Sequence, residues 1–183
     1  MNYFLRMASQ KNNEAQALYT QHACERCRAL TTPWTARLAA LAESDILRCS
    51  HYQGGRYENI YLAPDSLPGM QTILDVAATE ASRLLARPVT ALRVGWWLNR
   101  MAPGDVTFAH THDEDDELLS GVYYIDVPPR SGELVLIEGA RREVIAPQPG
   151  LFVFFAPDVL HEVTRNDSDQ TRFSIGFNIG LQP

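Results

Sequence analysis

The sequence predicts a mainly β protein with flanking N-terminal helices, its strands closed into a sandwich or barrel. Two observations predict this. The chain changes hydrophobic period near residue 88, and turn residues punctuate everything that follows. Residues 13–46 are rich in Ala, Leu, Glu and Arg, with Leu38, Leu41 and Leu47 at helical intervals, and Pro33 reads as the start of a second helix. Between His51 and Pro64, Gly54-Gly55 marks a turn, and Tyr57, Ile60 and Tyr61 mark a short strand. A helix runs from Pro68 through Ala86, with Ile73, Leu74, Ala77, Ala81, Leu84 and Leu85 on one stripe and Pro88 as its stop. From Val89 onward, short β segments alternate with Pro103-Gly104, Pro128-Pro129, Ser131-Gly132 and Pro149-Gly150. Helices first and strands after suit a single domain over 1–183, in which a mostly helical support region, 1–88, buttresses a β core at 89–181.

Composition bounds the function. A chain of 183 residues builds one well-buried core and is too short for two ordinary domains. With 45% hydrophobic and 21% charged residues it is an ordinary globular composition. A net charge of −6 argues against a nucleic-acid partner, which needs a basic face. No apolar run reaches the length of a membrane span, and Met1 to Met7 lacks the features of a secretory signal, so a cytoplasmic setting is the expectation.

Three of the five histidines carry the chemistry. His110 and His112 stand one residue apart, and His161 follows in Pro157-Asp158-Val159-Leu160-His161-Glu162. Residues i and i+2 of a strand share a face, so a His-x-His pair aims two ligands at one point. A third His from another strand then closes a facial set whose remaining positions stay open, as an oxygen-activating Fe(II) requires. Two frames compete for the first pair: His110 with His112, or His112 with Glu114, which would supply a carboxylate.

Eleven residues beyond His161, Arg172-Phe173-Ser174-Ile175-Gly176-Phe177 alternates as a strand, with Arg172, Ser174 and Gly176 on one face. A guanidinium fork and a hydroxyl two residues apart suit a dicarboxylate whose other end reaches a metal. Trp96-Trp97-Leu98-Asn99 reads as a strand entering the site, with Trp96 and Leu98 on one face and Trp97 and Asn99 on the other. Asn99 is a polar candidate for the metal-side carboxylate of such a ligand.

Together the His-x-His, the strand Leu119-Ser120-Gly121-Val122-Tyr123-Tyr124-Ile125, His161-Glu162-Val163 and Arg172-Phe173-Ser174 resemble the 2-oxoglutarate/Fe(II)-dependent oxygenases. The nearest branch is a bacterial and phage group with His-x-His followed by Ser-Gly-Val-Tyr-Tyr. The resemblance spans residues 90–181 and implies a double-stranded β-helix, or jelly roll. It also implies Fe(II) as cofactor, 2-oxoglutarate and O2 as cosubstrates, and hydroxylation of a small-molecule or peptide substrate, with succinate and CO2 released. It places His110, His112 and His161 on the metal. Arg172 falls on the far carboxylate of 2-oxoglutarate, with Ser174 beside it and Tyr124 facing the same cosubstrate.

A cupin-type metalloprotein is the alternative, with His110, His112, His161 and Glu117 as ligands and no oxo-acid cosubstrate; it leaves Arg172 unexplained. A jelly roll that binds ligands without catalysis is a third class. The acidic run Asp113 to Glu117 reads as a solvated loop, or as a lid favouring a cationic substrate. Cys24-Glu25-Arg26-Cys27 with Cys49 and His51 offers a structural zinc set, against the plainer reading of small residues one helical turn apart. No thioredoxin-like strand is expected before the pair, which argues against a redox role. A homodimer through the helical half is an open expectation.

Overall fold

The computed structural model describes residues 17–112 and 116–183. Eleven strands form two sheets: β1 Tyr19–Ala23, β2 Ile46–Gln53, β3 Arg56–Leu62, β4 Leu92–Met101, β5 Thr107–His110, β6 Leu119–Asp126, β7 Leu134–Glu138, β8 Arg141–Ile145, β9 Leu151–Phe155, β10 Leu160–Val163 and β11 Arg172–Leu181. The major sheet has the order β1-β9-β6-β11-β4-β3-β2, the minor sheet β5-β10-β7-β8. Every pairing is antiparallel. The two sheets face one another as a jelly roll, and three helices lie against the outer face of the major sheet: α1 Glu25–Arg28, α2 Thr31–Ala39 and α3 Met70–Leu85.

Helix α3 forms where its stripe predicts. Ile73, Ala77, Ala81 and Leu85 are buried, with Leu74 and Leu84 packed at the margin. Gly69, at φ 86°, turns the chain into the helix, and Ala86, at φ 51°, closes it with Arg87 N–H donating to the Ser82 carbonyl at 3.1 Å. Pro88 cannot continue the ladder. Each large apolar side chain buried here contributes roughly 1.5–3 kcal/mol.

The central strands of the major sheet are buried on both faces, yet they alternate in chemistry. On β11, Phe173, Ile175 and Phe177 join the core under the helices, while Arg172, Ser174 and Gly176 line the cavity between the sheets. On β4, Trp96 and Leu98 face the helices, and Trp97, Asn99 and Met101 face the cavity. On β6, Tyr123 and Ile125 are helix-side, and Tyr124 belongs to the inter-sheet core with Leu134, Leu136, Ile145, Val153 and Phe155. A bulge on β6 sets that phase: Phe173 pairs with Asp126, but Ser174 pairs with Tyr124.

Region 17–88 supplies more than helical support. Strand β1 lies where a helix was expected and pairs along its whole length with β9, from Tyr19↔Phe155 to Ala23↔Leu151. The open edge of β9 overrides the local helix propensity of this segment. Leu47 belongs to no helical stripe; it lies on β2 and is 66% exposed. Strands β2 and β3 form a hairpin that extends the major sheet past β4. Among the described residues, no helix is long and apolar enough to cross a membrane.

Candidate metal and cosubstrate site

Two strands and a loop bring the histidines together. His110 ends β5 and stands opposite His161 of β10. His112 follows β5, and its backbone N–H donates to the Pro157 carbonyl at 2.8 Å, just before the turn into β10. One ring nitrogen from each of His110, His112 and His161 lies within 4.8 Å of the others, and among the described residues this is the only group of three or more His, Cys, Asp or Glu so placed. Glu114, the rival ligand, lies outside the described residues, as do Asp113 and Asp115 of the acidic run.

Backbone carbonyls fix two of the three rings. His110 Nδ1 lies 2.8 Å from the Phe108 carbonyl oxygen, and His161 Nδ1 lies 3.0 Å from that of Val159. A carbonyl only accepts, so each Nδ1 carries the proton and each Nε2 keeps its lone pair. Burial, with the neighbouring His110 and His112 imidazoles adding to it, pushes the His161 imidazole down to about 3. His161 is therefore neutral, which is the form that ligates a cation. An all-imidazole donor set with open positions suits a first-row divalent metal such as Fe(II).

The second end of the cavity is a buried cation. Arg172 is 2% exposed, and its Nη1 donates to the carbonyls of Gly132 at 3.0 Å and Ser131 at 3.4 Å. Its Cζ lies 5.1 Å from the centroid of the Tyr124 ring. Among the described residues no carboxylate is ion-paired with it. Arg172 Nε, the Tyr124 hydroxyl and the Ser131 hydroxyl are all buried without a hydrogen-bond partner. Burial lowers the Arg172 guanidinium from its ordinary value, and it raises the Tyr124 phenol, which therefore keeps its proton at neutral pH. A fixed, unpaired guanidinium beside unsatisfied hydroxyls fits an anion with several acceptor oxygens, which is what 2-oxoglutarate presents.

Ser174 lies between the two ends, paired with Tyr124 on one side and Asn99 on the other. Trp97 lies over Gly176, where an added Cβ would meet the indole at 2.5 Å, and its ring centroid is 5.7 Å from that of His112. Asn99 lines the cavity as expected, but its amide has protein partners. Nitrogen toward the Glu58 carbonyl and oxygen toward the Trp97 indole N–H satisfies both neighbours.

Two alternative ligand sets are not assembled. Glu117, the fourth cupin ligand, is not grouped with the histidines; Asn178 Nδ2 approaches its Oε1 at 3.5 Å. Cys24, Cys27, Cys49 and His51 do not form a zinc set either. Cys27 is buried, Cys24 and Cys49 pack against the same apolar core, and His51 Nδ1 is engaged by Ser50 and Asn59. A strand, β1, precedes the Cys-x-x-Cys, and it is an antiparallel edge strand of the major sheet. The sequence reading missed Glu58, Asn59, Met101 and Thr107, which also line the cavity. Glu58 and Asn59 were signalled only as polar residues in a strand read as short, and Met101 and Thr107 carried no signal of their own.

No family model matches the chain, and no curated protein matches it by sequence. Solved structures match it by shape. A Pseudomonas putida prolyl-4-hydroxylase superposes at TM-score 0.69 with 18% identity, over 90% of this chain and 92% of its own. The fold is that of the 2-oxoglutarate/Fe(II) oxygenases. An oxidoreductase of the 2OG-Fe(II) oxygenase family from Burkholderia pseudomallei shares this oxygenase fold at TM-score 0.58, with 20% identity over 82% of this chain and 77% of its own. So does the epimerase SnoN, solved with Fe3+, alpha-ketoglutarate and nogalamycin RO, at TM-score 0.69 and 15% identity over 91% and 82%. Within the oxygenase fold, this chain's histidines and Arg172 lie at two ends of one cavity.

Proposed function

We propose that this protein is an Fe(II)- and 2-oxoglutarate-dependent dioxygenase that hydroxylates a C–H bond of a small-molecule or peptide substrate. The observation that carries the reading is a triad of histidine ring nitrogens in the same cavity as a buried, unpaired arginine. His110, His112 and His161 would hold the metal. Arg172 would clasp the far carboxylate of 2-oxoglutarate through its guanidinium, with the Tyr124 and Ser174 hydroxyls as further donors. The region 1–88 supports the catalytic core at 89–181.

When bound, Fe(II) activates O2 while 2-oxoglutarate is converted to succinate and CO2, and one oxygen atom enters the substrate C–H bond. The chain supplies placement and protection. The Phe108 and Val159 carbonyls hold the His110 and His161 rings so that Nε2 faces the site. Burial of Arg172 and Tyr124 makes each hydrogen bond to an anion stronger than it would be in water. Trp97, Phe155 and Val163 supply apolar wall.

Calorimetric titration of 2-oxoglutarate into the anaerobic Fe(II) protein tests the reading. Stoichiometric binding that requires the metal is expected. Metal binding with no response to 2-oxoglutarate would remove the oxygenase assignment.

A further inference from the structure

Strand β5, which carries His110, is weakly held by its own sheet. It is four residues long, lies at the edge of the minor sheet, and pairs with β10 at only His161↔His110 and Val163↔Thr107, with an irregularity between them. Further contacts come from the β2–β3 hairpin of the opposite sheet. Arg56 Nη2 donates to the Thr107 hydroxyl at 2.8 Å and to the Val106 carbonyl at 3.1 Å, and it meets Glu58 Oε1 at 3.3 Å. Arg56 Nε lies 3.6 Å from Asp105 Oδ2, whose oxygen also accepts from the Ala102 N–H at 2.7 Å. Two residues before Arg56 the hairpin turn abuts Phe108: a Cβ on Gly54 would sit 3.1 Å from that ring. The hairpin thus touches residues 105 to 108 in succession.

We propose that Arg56 is a positioning residue for the metal centre, tying β5 to the major sheet so that His110 is held at ligating distance from His161. The path is short and made of hydrogen bonds. Arg56 fixes Val106 and Thr107, the next residue Phe108 presents its carbonyl to His110 Nδ1, and that bond orients Nε2. An arginine suits the task because its Nη2 alone reaches the Val106 carbonyl, the Thr107 hydroxyl and Glu58, while Nε faces Asp105 at 3.6 Å. Its side chain is 13% exposed, so these bonds compete little with water.

The inference rests on the metal-centre reading, and the test separates the two. Fe(II) affinity is measured by anaerobic titration, and coordination geometry by the visible spectrum of Co(II) bound in its place. Arg56→Met is expected to weaken metal binding by about 10–100-fold, the usual effect of removing a partner that orients a ligand, and to change the Co(II) spectrum. Arg56→Lys is expected to restore part of the affinity, since one ammonium replaces some of the fork's bonds. Thr107→Val, which removes a hydroxyl and leaves no charge unpaired, is expected to lose affinity in the same direction by a smaller factor. It carries the test if Arg56→Met fails to fold. Parental affinity and spectrum in folded Arg56→Met, or in Thr107→Val where that decides, would overturn the tether while leaving the metal centre standing. No binding by the parent protein would overturn the metal centre itself and the tether with it.

Discussion

His110 and His161 stand directly opposite each other across the β5–β10 pair, with ring centroids 4.3 Å apart. Antiparallel pairing therefore brings two candidate ligands from segments 51 residues apart side by side, and His112 completes the group from the loop. The two strand-borne rings are not equivalent: His161 is buried, whereas His110 is half-buried.

His161→Ala is expected to abolish stoichiometric metal binding and leave the fold intact. The inter-sheet core around Tyr124, Leu136 and Phe155 is complete without the imidazole. Metal analysis of the purified variant, with circular dichroism as the control for folding, checks this. Full occupancy by Fe(II) would mean the site lies elsewhere.

Arg172 makes a prediction with two opposite signs. Among the described residues its buried guanidinium has no anionic partner, so the ligand-free protein carries a desolvation cost that the Gly132 and Ser131 carbonyls offset only in part. Arg172→Met is expected to weaken 2-oxoglutarate binding more than a hundredfold, corresponding to about 3–5 kcal/mol. The same variant should melt at or above the parent temperature when no ligand is present. Calorimetric titration and thermal melting measure the two halves separately.

The pH dependence of the metal-free protein follows from His161. In the unfolded chain this imidazole takes a proton near 6.5; in the folded protein it stays neutral down to about 3. The unfolded state therefore binds more protons in between, so stability is full above 6.5 and falls as the pH drops toward 3. The loss from this one group is of the order of 4 kcal/mol, at about 1.4 kcal/mol per unit. His161→Gln should flatten that part of the curve. Denaturant unfolding at a series of pH values provides the comparison.

Gly176→Ala is expected to destabilise the protein by about 1–3 kcal/mol and to disturb metal binding. The new methyl would meet the Trp97 indole at 2.5 Å, and Trp97 is a neighbour of His112. Melting temperature and Fe(II) titration report the two effects, and unchanged indole fluorescence with unchanged metal affinity would show that the ring had not been displaced.

Most of the inner face of the site was legible in the sequence because strand alternation is a strict rule. Arg172 and Ser174 on one face, and Trp97 with Asn99 opposite Trp96 with Leu98, follow from a period of two. The bridging of distant segments is not periodic and was not legible. Nothing local in Tyr19 to Ala23 announces that β9 has a free edge to fill, and nothing in Arg56 announces contact with Val106 and Thr107. Leu47 fitted a helical interval by coincidence, since one apolar residue three or six positions on cannot distinguish the two periods. Glu117 met a cupin spacing, yet spacing does not say which way a side chain turns at the end of a loop.

The bulge at Ile125 has a consequence for how this chain tolerates change in length. Cross-strand partners share a face, so unbroken pairing from Phe173↔Asp126 would set Ile125 beside Ser174 and turn Tyr124 toward the helices. The extra residue reverses the parity of the strand at one point, and by that alone a phenol instead of an aliphatic side chain meets Arg172. Deleting Ile125 would let Asp126 and Tyr124 meet Phe173 and Ser174 in unbroken pairing, so the strand could lose this one residue and still present the Tyr124 phenol to Arg172.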